Sequence, residues 1–173
     1  GTGTVTLTGT NTYTGTLSIN AGIVQVGNGG STGTPGNANI AINSGTSLVF
    51  NRSGTLTTGV SLSGSGTLVQ NGSGTLELTS SSTFSGPVNV NTGTFKLSGS
   101  GAIGTGAISI ASGGTFEVAR DSSTYTMNNL LSGSGSLVKS GTGSLLLANP
   151  SSFSGTTTVK GGSLIVGATG GSH

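Results

Sequence analysis

Glycine, threonine and serine make up more than half of the 173 residues, whereas 5% are charged and the net charge is +2. These abundant residues are poor helix formers, which excludes a helical fold, and so few charges supply no basic stripe for binding nucleic acid. The absence of cysteine excludes a disulfide framework and a thiolate metal site. No apolar run is long enough to cross a bilayer as a transmembrane segment.

Short runs in which apolar and polar residues alternate recur along the whole chain, separated by glycine-rich turns. Val5-Thr6-Leu7 and Leu17-Ser18-Ile19 are the first of them. A period of two is typical of half-buried β-strands, so the sequence predicts an all-β protein. The predicted strand cores are 5–7, 17–19, 23–26, 40–42, 48–50, 60–62, 67–69, 76–78, 88–90, 94–97, 108–110, 116–118, 130–131, 136–138, 145–147, 157–159 and 163–166.

The spacing of the apolar residues selects one β architecture. Leu48, Leu68, Val88 and Ile108 follow one another at intervals of 20 residues. Strands this short, recurring once per coil, predict a parallel β-helix (β-solenoid) of roughly 7 to 8 coils of about 20 to 24 residues, wound right-handed. An antiparallel meander would place Asn-Gly or Asp-Gly pairs at regular hairpin turns, and the chain contains only two such pairs, Asn28-Gly29 and Asn71-Gly72.

A longer repeat is superimposed on this spacing. When Gly3, Gly74 and Gly143 are aligned, the apolar positions that follow coincide without a gap for more than twenty residues. The aligned sets include Val5, Leu76 and Leu145; Tyr13, Phe84 and Phe153; and Val24, Phe95 and Leu164. We therefore predict one β-helix segment, 1–173, built from related units at about 1–71, 72–140 and a partial 141–173, with three coils in each complete unit.

Two stretches of the chain resemble a known family. Residues 9–26, GTNTYTGTLSINAGIVQV, and residues 133–147, GSGSLVKSGTGSLLL, closely resemble the two halves of the passenger-associated repeat of bacterial autotransporters. The turns at 82–86 and 152–155 keep the aromatic residue and the glycine of that pattern.

The resemblance implies a structural β-helical stem of a type V secreted protein. In that family the repeat lies in a long passenger next to an outer-membrane barrel and is thought to assist secretion and folding at the cell surface. The expected partners are flanking passenger coils and a barrel absent from this chain. The expected location is the bacterial cell surface or the extracellular space.

Candidate catalytic residues are few. Glu117, Arg120 and Asp121 form the one cluster of charges, which we interpret as an exposed turn with local ion pairing. Lys96 and Glu117 occupy matching strand positions and are predicted to stack on the outside of adjacent coils. The single histidine, His173, is the last residue and has no nucleophile pattern around it. We predict no catalytic, cofactor-binding or metal-binding residue, no cofactor, and no enzyme activity.

A glycine motif at residues 99–104, GSGAIG, satisfies the dinucleotide-binding pattern. A strand is predicted after it, at 108–110, where a phosphate-binding helix would be required. We therefore interpret the motif as a turn.

Two other functions remain open at this stage. The first is an adhesin or a surface rod that self-associates through strand edges at the ends of the coil stack. The second is ice binding, suggested by alternating threonines from Thr2 to Thr16, although the repeat equivalents of Thr6 are Glu77 and Leu146.

Overall fold

A computed structural model describes residues 1–121, 123–149 and 151–167. Within this part of the chain there is no helix, and every strand pair is parallel. The strands are β1 Thr4–Leu7, β2 Leu17–Ile19, β3 Ile23–Val26, β4 Ile40–Ile42, β5 Ser47–Phe50, β6 Leu56–Thr58, β7 Leu62–Gly64, β8 Thr67–Gln70, β9 Thr75–Leu78, β10 Val88–Ser98, β11 Ile108–Ala119, β12 Thr124–Met127, β13 Leu131–Gly133, β14 Ser136–Ser140, β15 Ser144–Leu147, β16 Ser152–Phe153, β17 Thr156–Val159 and β18 Ser163–Val166.

The strands form three stacks that run along a β-solenoid of about eight coils. The first stack contains, in order, β1, β3, β5, β8, the first half of β10, the first half of β11, β13 and β16. The second contains β6, β9, the second halves of β10 and β11, β14 and β17. The third contains β2, β4 and β7 in the N-terminal coils and β12, β15 and β18 in the C-terminal coils.

The pairing register confirms the predicted coil spacing. Leu48 pairs with Leu68, Leu68 with Val88, and Val88 with Ile108. Phe95 likewise pairs with Phe116, and Phe116 with Leu137. The prediction of a parallel β-helix is therefore confirmed, and the antiparallel alternative is wrong. The right-handed winding stays a prediction.

Several strand boundaries differ from the sequence-based prediction. β6, β12 and β16 were not predicted, because the first two are dominated by threonine and the third has two residues. The cores predicted at 88–90 and 94–97 are joined in β10, and those at 108–110 and 116–118 are joined in β11. In each case hydrogen bonds to the neighbouring coil extend the strand through residues with no apolar pattern.

Inward-facing aliphatic and aromatic residues form continuous buried rows along the solenoid. In the first stack Leu48, Leu68, Val88 and Ile108 are at most 1% exposed. In the second the Phe95 and Phe116 rings stack with centroids 5.7 Å apart. Burial of each such side chain stabilises the fold by about 1.5–3 kcal/mol, so these rows, and not surface charge, hold the coils together.

The 70-residue repeat does not coincide with a whole number of coils. The equivalent residues Val5, Leu76 and Leu145 lie in the first, second and third stacks, respectively. Each complete unit therefore spans three coils and one further strand position, where three coils were expected.

Within the aligned core of each repeat, the first and last strands pair with one another. Val5 pairs with Val24 in the first copy, Leu76 with Phe95 in the second, and Leu145 with Leu164 in the third. The aligned core of every repeat is therefore one coil closed on itself.

Candidate functional site

The most unusual side chain of the interior is Lys139, which is 0% exposed. It follows Leu137 by two residues in β14, so it points into the solenoid. Its ammonium group donates to the carbonyl oxygens of Ser140, Gly141 (2.9 Å) and Gly161 (3.3 Å), the last from the next coil. Burial lowers the pKa of Lys139, and the negative charge of Asp121 opposes that shift.

Gln70 occupies the equivalent position of the preceding repeat and is 2% exposed. Its Nε2 donates to the carbonyl oxygens of Gly72 and Gly74, both at 3.0 Å. Lys139 and Gln70 therefore both place a donor inside a glycine corner, where several backbone carbonyl groups converge. We call Gln70 and Lys139 the corner donors.

Sequence analysis missed the corner donors, because a lone lysine normally extends to solvent. The alternation of β14 carried the signal, since Lys139 lies on the same side of the strand as the buried Leu137. The repeat alignment carried a second signal by placing Lys139 opposite Gln70.

Replacement of Lys139 by alanine is expected to lower the free energy of unfolding by about 1–3 kcal/mol, because it removes the donor to three partly buried carbonyl groups. Lys139→Gln, which restores the residue of the preceding repeat, is expected to lose less. Urea unfolding of the purified chain measures both. A Lys139→Ala variant as stable as the wild type would contradict the role of the corner donors.

The outward face of the second stack carries a row of charges in consecutive coils. Glu77, Lys96 and Glu117 are paired in register. Lys96 forms its ion pair with Glu77, Nζ to Oε1 at 3.1 Å, and Glu117 instead accepts a hydrogen bond from the Ser140 hydroxyl at 2.5 Å. The predicted pairing of Lys96 with Glu117 in adjacent coils is confirmed, but Lys96 forms its ion pair with Glu77.

Hydrogen bonds from Ser98, Thr57 and Lys96 lower the pKa of Glu77 below its ordinary value of 4.5, although partial burial opposes the shift. A lowered carboxyl pKa contributes stability that is complete above pH 4.5 and is lost as the pH falls through the folded-state value. We therefore expect wild type to exceed Glu77→Gln in unfolding free energy by at most about 1 kcal/mol at pH 7. This difference in unfolding free energy should disappear in acid, and urea titrations at pH 3 and pH 7 measure it. An equal difference at the two pH values would contradict a lowered pKa of Glu77.

The predicted cluster of Glu117, Arg120 and Asp121 is not held together by ion pairs. Arg120 donates to the carbonyl oxygen of Gly101 at 2.7 Å and lies over the Tyr125 ring, 4.7 Å from its centroid. Asp121 accepts a hydrogen bond from the backbone N–H of Thr142 at 3.1 Å. No salt bridge joins these three residues within the described chain, so the expectation of local ion pairing is wrong. The carboxylates of Glu117 and Asp121 and the guanidinium of Arg120 instead form hydrogen bonds with residues of neighbouring coils.

No group of three or more histidine, cysteine, aspartate or glutamate residues in the described ranges is arranged to hold a metal ion. His173 lies outside those ranges. The prediction that the chain has no catalytic residue stays a prediction. The glycine motif at 99–104 lies between β10 and β11, with Gly99 and Gly104 at φ +56° and +81°, and the next element is a strand, which confirms the turn.

The described residues do not form a flat array of threonines in either of the two places where threonines recur. Thr6 is paired with Gln25, which is paired in turn with Val49. In the second stack, one outward row is hydroxylated over five coils, but the adjacent row carries the charged residues. The hydroxylated row is Thr75, Thr94, Thr115, Ser136 and Thr156. The arrangement therefore argues against an ice-binding surface.

Comparison with known proteins shows the same three segments that the repeat alignment indicates. Residues 1–26, 68–97 and 137–166 match the family model described as passenger-associated-transport-repeat, and together they make up about half of the chain. The chain is part of an autotransporter passenger domain. This passenger segment belongs to an exported protein that resides at the cell surface or outside the cell. The matched segments end with the strands that close each coil, so the family repeat corresponds to the self-closing coil of the structure.

Among characterised proteins, the passenger segment is similar to the adhesin BmaC autotransporter of Brucella suis biovar 1 (strain 1330), with 48% identity over 64 residues. The alignment covers 37% of this chain and 2% of the relative. No solved structure matches the passenger segment. Among the described residues no helix has the length and apolar character needed to span a membrane.

Proposed function

We propose that this segment is a structural stem, without enzyme activity, that assists secretion and folding of the passenger and displays it at the cell surface. The continuous buried rows carry the proposal. Each coil contacts only the coils before and after it, so a chain that emerges in an extended state can fold coil upon coil. Each added coil buries apolar side chains and opposes return of the chain to the unfolded state.

The ends of the buried rows support flanking passenger coils as partners. Val5, Val159 and Val166 belong to inward-facing rows but are 59%, 50% and 74% exposed. A further coil at either end would cover them, as the central coils cover one another. An outer-membrane barrel elsewhere in the intact protein is the second partner that we propose.

A translocation assay tests the secretion role. Leu76, Leu78, Val88 and Val90 are at most 1% exposed, and replacing all four by serine in the intact autotransporter removes the apolar inward side of β9 and of the first half of β10. We expect surface display, measured by protease accessibility on whole cells, to fall at least about tenfold, because the central coils no longer form.

The matched control changes outward-facing residues of the same strands. Glu77→Gln and Asn89→Ser alternate with the four inward residues and leave the buried rows intact. The control is expected to be displayed at the wild-type level. Undiminished display of the four-serine variant would overturn the proposed secretion role.

A second candidate function is adhesion, favoured by the relative in Brucella suis that is named an adhesin. Binding of the purified segment to host cells, compared with the four-serine variant, tests it. Self-association through the coil ends is a separate possibility within this class. A sedimentation series in which the segment is a monomer at all concentrations would count against it.

A further inference from the structure

Strands β10 and β11 differ from every other strand of the described chain in length. They contain 11 and 12 residues, and the others contain two to five. Ten residues of β10 are paired with β11, whereas no other strand pair has more than five. The two coils at the centre of the solenoid are therefore joined by one long strand pair, whereas the coils that follow are joined by separate short pairs.

The long strands also connect two sides of the coil. The first half of β10 pairs with β8 and the second half with β9, and between the halves the backbone turns at Gly93, with φ +64°. A register shift between Val90 and Thr92 accommodates this bend in the ladder. Formation of the β10–β11 pair therefore fixes the first and second stacks and the corner between them in one step.

The inward side chains between these strands are completely buried. All eight inward residues are at most 1% exposed, and Phe95 and Phe116 add a stacked aromatic pair. The eight are Val88, Val90, Phe95, Leu97, Ile108, Ile110, Phe116 and Val118.

Closing any coil of this chain costs similar loop entropy, because the paired residues are always 19–24 positions apart and the cost grows only with the logarithm of loop length. The coil that forms first is then the one that gains most on closure. In the coil between β10 and β11, one long strand pair closes two sides at once and brings two phenylalanine rings into a stack.

We propose that β10 and β11 form the folding nucleus of the segment, onto which the other coils add in both directions. The nucleus is built from the closing strand of the second family repeat and the coil that follows it. This inference concerns the order in which coils form, and it is measured on the purified chain. Its failure therefore leaves the secretion assay of the intact protein unaffected.

Three phenylalanine-to-leucine variants test the order of folding. Phe95 and Phe116 lie in the nucleus, and Phe50, 2% exposed in β5, is the matched control outside it. For Phe95→Leu and Phe116→Leu we expect the refolding rate constant to fall about fivefold or more with the unfolding rate changed less than about twofold. For Phe50→Leu the expectation is reversed, with faster unfolding and unchanged refolding. Stopped-flow refolding and unfolding in urea measures the rate constants.

Pulse-labelled hydrogen exchange during refolding of the wild type provides a measurement that needs no variant. The amides of β10 and β11 are expected to become protected before those of β1, β3, β15 and β18. The proposal is overturned if Phe50→Leu slows refolding as much as Phe95→Leu does. Earlier protection of any other strand pair would also overturn it.

Discussion

Gly86→Ala is expected to lower the free energy of unfolding by about 3 kcal/mol or more. A Cβ at this position would lie 1.8 Å from the carbonyl oxygen of Gly66 in the preceding coil and 2.8 Å from the Phe84 ring. Gly106 packs against Gly86 in the same way, because a Cβ on Gly106 would lie 1.7 Å from the carbonyl oxygen of Gly86. The backbones of successive coils therefore approach one another too closely for any side chain at this corner.

Gly15→Ala is the matched control, because Gly15, Gly86 and Gly155 are equivalent in the three repeats. A Cβ on Gly15 meets no atom within 4 Å, whereas one on Gly155 would lie 2.0 Å from the Gly135 oxygen. We expect Gly15→Ala to leave the unfolding free energy within about 0.5 kcal/mol of wild type. Urea unfolding measures both variants. Equal stability of Gly86→Ala and Gly15→Ala would show that the close coil approach is not the constraint on this corner.

Phe84→Ala is expected to destabilise the segment by about 3–5 kcal/mol, as truncation of a fully buried aromatic side chain does in protein cores. Phe84 is 0% exposed and fills the corner next to Gly86. The measurement is again urea unfolding, followed by far-ultraviolet circular dichroism.

The repeat supplies the control for this variant also. Phe153 is the equivalent residue of the last repeat and is only partly buried, so Phe153→Ala is expected to cost clearly less. If the two alanine variants were equally destabilised, burial at the corner could not explain the role of the aromatic position.

The sequence predicts the coil spacing of the chain well, because the spacing depends on one signal, the recurrence of apolar residues. Leu48, Leu68 and Val88 recur at the coil spacing, and the same spacing sets which residues pair. Strand β6 escapes prediction because Leu56-Thr57-Thr58 has no alternation of its own. Its extended conformation comes from hydrogen bonds with β9, which only the neighbouring coil supplies.

Contacts across coils are harder to predict than the coils themselves. Lys96 has an acidic neighbour in register on each side, and spacing alone does not select Glu77 over Glu117. The alternation of β14 indicates that Lys139 points inward, but the three carbonyl groups that accept its hydrogen bonds are brought together by two glycine corners of different coils, which no local sequence pattern indicates.

The offset of one strand position between successive repeats constrains how such a rod can evolve in length. A tandem duplication of one unit would place each copied residue in a different stack from the residue it was copied from. The copy is tolerated only if every side accepts the same residues. A rod that lengthens by whole units is therefore expected to use small, uncharged residues that fit every corner, and a chain more than half glycine, serine and threonine has that composition.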